Sequence, residues 1–166
     1  MRRLLPAIAA SLLLTACFGP DPNLTETGKG KPVLDVEFPA EVSPGSVETA
    51  TLTVENPGPG RIDVVTVAFA GVGVPAASGP LPVDLVPITT TSDNPAVRSV
   101  EPEPREVSGD GVVYYFGALE EGGVMEIAFE LVMPDEPGPA ASSVSVYDGR
   151  ETDRIRGVRL ATTVRG

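Results

Sequence analysis

The chain contains no histidine, no tryptophan and a single cysteine. Without histidine, Ser-His-Asp and Cys-His catalysis and the common zinc sites are excluded. A lone cysteine, Cys17, excludes an internal disulfide. Aromatic residues are also scarce, with five Phe and three Tyr in 166 residues. A core of this size must then be filled by Val, Leu, Ile and Ala. Lysine occurs only at Lys29 and Lys31, and 12 basic side chains face 23 acidic ones, a net charge of −11. Such a surface repels phosphate backbones, which argues against a nucleic-acid partner. It repels anionic lipid headgroups as well, so any residence at a membrane requires a covalent anchor.

The sequence is rich in punctuation and short apolar segments. Glycine and proline number 18 each, as in a turn-rich β protein. Met1-Arg2-Arg3 is a basic start, Leu4 to Leu14 an apolar run, and Thr15-Ala16 a pair of small residues before Cys17. The run is shorter than the ~20 residues a transmembrane helix needs. The order basic, apolar, small is that of an export signal peptide. Leu14-Thr15-Ala16-Cys17 resembles the lipobox of bacterial lipoproteins. That resemblance implies cleavage between Ala16 and Cys17, diacylglycerol on the Cys17 thiol and an acylated (palmitate-type) amino end. The bland alternative is an ordinary leader with a chance cysteine. Cleavage would leave 10 basic against 23 acidic side chains, a net of −13.

The expected organisation is a signal peptide over 1–16, a lipidated Cys17 and flexible linker over 17–31, and one domain over 32–166. Phe18 to Lys31 lacks apolar periodicity and is rich in Gly, Pro and polar residues. As a random coil it reaches about 20 Å on average. Asn23-Leu24-Thr25 matches a glycosylation acceptor, with plain linker as the simpler reading.

From Pro32 the pattern alternates with a period of two. Leu34, Val36 and Phe38 oppose Asp35 and Glu37. Ala50, Leu52 and Val54 alternate with Thr49, Thr51, Thr53 and Glu55. Asn56-Pro57-Gly58-Pro59-Gly60 forces a turn. Ile62 to Ala70 is apolar on both parities, as in a central strand. Leu81 to Ile88 reads as a short edge strand, since proline belongs at edges. Val112 to Phe116 reads as another strand. Met125, Ile127, Phe129 and Leu131 then face away from Glu126, Ala128 and Glu130. Pro134 to Pro139 reads as a turn, Val144 and Val146 as the next strand, and Val158, Leu160, Thr162 and Val164 as the last. Seven or eight strands without an amphipathic helix predict an all-β antiparallel sandwich.

Two stretches resemble Ig-like domains of bacterial surface proteins: Val54-Glu55-Asn56-Pro57-Gly58, and Tyr115-Phe116-Gly117-Ala118-Leu119 with Gly122-Gly123 and the strand to Leu131. The resemblance implies an Ig-like sandwich and covers about half of the chain after Cys17. The Gly71–Gly111 segment, with seven prolines, departs from it.

Candidate sites are few. Acidic groups occur at Glu101, Glu103 and Glu106, at Glu120 and Glu121, at Asp135 and Glu136, and at Asp148, Glu151 and Asp153. They could bind Ca²⁺, but none has the spacing of a calcium loop, and solvated turns are the simpler reading. No cofactor and no catalytic residue is expected. Glycoside hydrolysis needs carboxylates with aromatic platforms, and tryptophan is absent. Met125 and Met133 without histidine make a poor copper site. Tyr114 and Tyr115, adjacent on a strand, must face opposite ways, one to the core and one to a surface contact patch.

Two functions remain. One is a lipid-anchored module on the extracytoplasmic face of the cell membrane, contacting an envelope protein or polymer. The other is a small-ligand or metal carrier, for example of Ca²⁺, serving an envelope transporter.

Overall fold

The computed structural model describes residues 30–69, 82–88, 93–108, 112–149 and 151–166, without the side chains of 151–153. The expected leader, Cys17, Asn23-Leu24-Thr25 and parts of the proline-rich segment lie outside the described residues. So do the side chains of Glu151 and Asp153.

Eleven strands form two sheets: β1 Val33–Glu37, β2 Glu41–Val42, β3 Val47–Glu55, β4 Val65–Ala68, β5 Val83–Asp84, β6 Val97–Glu101, β7 Glu106–Val107, β8 Val113–Tyr115, β9 Val124–Val132, β10 Gly138–Asp148 and β11 Glu151–Val164. The smaller sheet runs β1-β3-β9-β6. The larger runs β2-β11-β10-β4-β8-β7, and β5 joins it by pairing with β10. This is the all-β sandwich that the alternation predicts. The strand count exceeds seven or eight because β2, β5 and β7 are two-residue pieces with no readable period. The sandwich is also not wholly antiparallel, since β5 runs parallel to β10 and β2 parallel to β11. Among the described residues no helix is long and apolar enough to cross a membrane.

The smaller sheet follows its period closely. Ala50 pairs with Phe129, Leu52 with Ile127 and Val54 with Met125. All but half-buried Met125 are closed to solvent. On the opposite face Thr49, Thr51 and Thr53 stand beside Glu130, Ala128 and Glu126. The larger sheet buries Val67, Tyr114, Val144, Val146 and Leu160 against the smaller one. Three rings join the layers: Phe69 and Tyr114 each meet Phe129 edge to face, with centroids 5.0 Å apart. Such pairs add about 0.5–1.5 kcal/mol each beyond area burial.

One pole of the sandwich is cross-linked by backbone and amide groups. Buried Asn56 donates from Nδ2 to the carbonyls of Gly60 and Leu119, both at 2.9 Å, and its Oδ1 accepts from the Gly58 amide. Gly58 and Gly60 hold φ of 89° and 83°, a region that glycine occupies without a side-chain penalty. Ile62 and Leu119 exchange two backbone hydrogen bonds, each 2.9 Å. The Gly30 amide donates to the Arg61 carbonyl, so the chain joins the sandwich at this pole. The other pole carries the start of β10, the end of β11 and the short strand β2.

Candidate functional site

Among the described residues the acidic groups do not converge. Glu120 lies 3.6 Å from Arg61, and Glu121 accepts from the Gly60 amide. The Arg61 guanidinium is held above its ordinary value by its hydrogen bond to Asp63, by the charge of Asp63, and by Glu120. Asp148 is 1% exposed, and its carboxylate accepts from the amides of Asp63 and Val64 at 2.9 and 3.2 Å. It ties the end of β10 to the approach of β4. Among the described residues no group of three or more His, Cys, Asp or Glu is placed to hold a metal ion. Met125 sits near the start of β9 and Met133 just past its end, so they do not form one site.

The two adjacent tyrosines separate as strand geometry requires. Tyr114 lies in the core, where burial pushes its phenol up to about 12. Tyr115 is half-buried on the outward face of the larger sheet. It borders a cleft of about 330 Å³ lined by Val64, Arg105, Glu106, Tyr115, Phe116 and Gly149. That volume is at the small end of ligand pockets.

The backbone around the cleft is held in several places. Arg105 donates its amide to the Tyr115 carbonyl at 2.7 Å. Glu106 pairs with Tyr115 across β7 and β8. Phe116 donates to Val65, Val65 to Gly117, and Gly149 to Val64. The Arg105 guanidinium lies over Gly117, 3.3 Å from where a Cβ would stand. Among the described residues neither Arg105 nor Glu106 is in a salt bridge.

The outward face continues beyond the cleft. Tyr115 pairs with Thr66, and Thr66 pairs with Tyr147, so two tyrosines flank one fully buried threonine. The Tyr147 phenol is raised by burial and then by its neighbour Tyr115. Sequence pattern alone marks one of Tyr114 and Tyr115, without saying which, as a contact residue, and Glu106 as one member of an acidic group. It does not single out Val64, Arg105, Phe116, Tyr147 or Gly149 for the site. The two-tyrosine row becomes visible only through the β4–β8 and β4–β10 registers.

No family model matches the chain, and no curated protein matches it. Among solved structures it is similar to the CARDB domain of the PF1109 protein from Pyrococcus furiosus, solved in complex with di-metal ions. That alignment has 10% identity and a TM-score of 0.49, covering 84% of this chain and 92% of that one. It is also similar to BslA, a bacterial hydrophobin, at 10% identity and a TM-score of 0.47, covering 81% of this chain and 99% of that one. The PapD-like domain 7 of human CEP192 aligns at 17% identity and a TM-score of 0.38, covering 96% of each. Similarities this distant carry no argument about function, and the fold rests on the two sheets themselves.

Proposed function

We propose that this chain is an extracytoplasmic lipoprotein, anchored to the cell membrane through Cys17, whose sandwich is a contact module for another envelope protein or polymer. The observation that carries the contact reading is the outward cleft. Ionic groups without a salt-bridge partner among the described residues and a half-buried aromatic ring stand together on a cross-linked scaffold. Recognition commonly uses segments held in place by such a scaffold. The anchor reading is supported by Leu14-Thr15-Ala16-Cys17 and by a net charge that offers no attraction to lipid headgroups. Acyl chains at about 0.8 kcal/mol per buried methylene hold a protein stably when two or more are present.

Two measurements test this. Labelled palmitate should enter the protein in cells, and Cys17→Ser should lose the label and leave the membrane fraction. A Cys17→Ser chain that stays with the membrane sinks the anchor. For the contact, a photo-crosslinking residue at position 115 should give a discrete adduct in the envelope. The same residue at position 51, on the outer face of the smaller sheet, should not. Equal labelling from both positions argues against the cleft.

A further inference from the structure

The cleft also limits what its partner is. This inference rests on the contact-module reading and names the chemistry of the occupant. The apolar side chains open to the cleft are those of half-buried Val64 and Tyr115, while Phe116 belongs to the core behind them. The ionisable side chains that line it are of opposite sign, Arg105 and Glu106, consecutive in sequence and unpaired among the described residues. A neutral sugar could meet both groups with hydroxyls but would neutralise neither charge. A purely acidic ligand would meet the repulsion of a strongly negative chain. A ligand with one carboxylate and one cationic group around an apolar body satisfies the cleft and adds no net charge. Tyr147, half-buried on the same outward face as Tyr115, extends the contact surface past the cleft itself, further than one amino acid reaches.

We infer that the cleft accepts a short peptide segment of a partner protein. A large apolar or aromatic side chain sits on Val64 and Tyr115. An acidic residue beside it meets Arg105, and a basic one meets Glu106. Peptide recognition of this kind draws most of its affinity from the buried anchor side chain and its register from the rim charges.

The chain's lack of tryptophan makes the test direct, because selective indole excitation then reports only an added ligand. The probe is the capped peptide Asp-Trp-Lys, titrated with the full chain in detergent micelles. Its emission should move to shorter wavelength and saturate. Capped Asp-Phe-Lys should displace it, and capped Asp-Ala-Lys should not. Tyr115→Ala should weaken binding about tenfold. Arg105→Ala, at an exposed position that does not threaten folding, should weaken it about threefold, with the loss disappearing at high salt. Arg105→Lys should recover part of the loss. The inference is overturned if the emission does not move, if free tryptophan binds as tightly as the peptide, or if both variants bind like the unaltered chain. An adduct at position 115 in cells without peptide binding would overturn this occupant and leave the contact reading standing.

Discussion

The two sheets present different outer faces. The smaller sheet has one wet face and one dry face. Thr49, Thr51 and Thr53 run down its central strand among Glu126, Glu130, Asp35 and Glu37, with Ala50, Leu52 and Val54 beneath. The larger sheet is closed on both faces at its centre, where Val65, Thr66, Val67 and Ala68 are all buried. Two threonines at mid-strand therefore stand in opposite situations. Thr51 lies beside Glu37 and Ala128 on a polar surface, whereas Thr66 is enclosed between Tyr115 and Tyr147. Position in a strand does not set a residue's tolerance to change; what covers the face does.

The comparison can be broken first where the sheets meet. Phe129→Ala removes the ring shared by Phe69 and Tyr114 and should cost about 3–5 kcal/mol in urea denaturation. A loss below that of an ordinary surface change would mean the layers are not joined there. Thr66→Lys should cost on the order of 3 kcal/mol by the same measurement, because an ammonium must be buried or two tyrosines displaced. Asn56→Ala leaves the Gly60 and Leu119 carbonyls and the Gly58 amide without their side-chain partner. The expected cost is about 2 kcal/mol, accompanied by faster amide exchange at Gly58 and Gly60.

Alkaline pH sharpens the comparison further. The Tyr114 phenol is raised in the folded chain, so its neutral form is favoured there. Its contribution to stability is complete below about pH 10, the unfolded value, and is lost as pH rises toward about 12. Tyr114→Phe should remove part of the alkaline fall in melting temperature. The smallest effect belongs to the open face. Thr51→Lys should change stability by less than about 0.5 kcal/mol, with a slight gain from Glu37 opposite.

This contrast also explains what could be read from the sequence. Strands β1, β3 and β9 and the later part of β11 were legible, because each buries one parity and wets the other. The turn at Asn56 was legible from its prolines and glycines. Strand β10 was only half legible. Gly138 and Pro139, read as turn residues, lie within it, and Ala140, Ala141 and Ser142 are all buried, so no period marks its beginning. Strand β6 hides between Pro95 and Pro102, where proline content argues against pairing. The site was legible only as one of the pair Tyr114 and Tyr115, through the rule that neighbours on a strand face opposite ways, and burial in the fold decides for Tyr115. Arg105 and Gly149 reach the cleft only because β7, β8 and the end of β10 meet near Val64. That convergence depends on long-range pairing, and no local pattern records it.

The backbone bond from Gly30 to Arg61 fixes where traction on the amino-terminal arm would be felt. The last ladder pair of β11, Val164 with Gly138, lies at the opposite pole. Tension between the two ends of the domain would therefore run along the strands. The β1–β3 rungs would share that load in shear and would not open one after another like a zip.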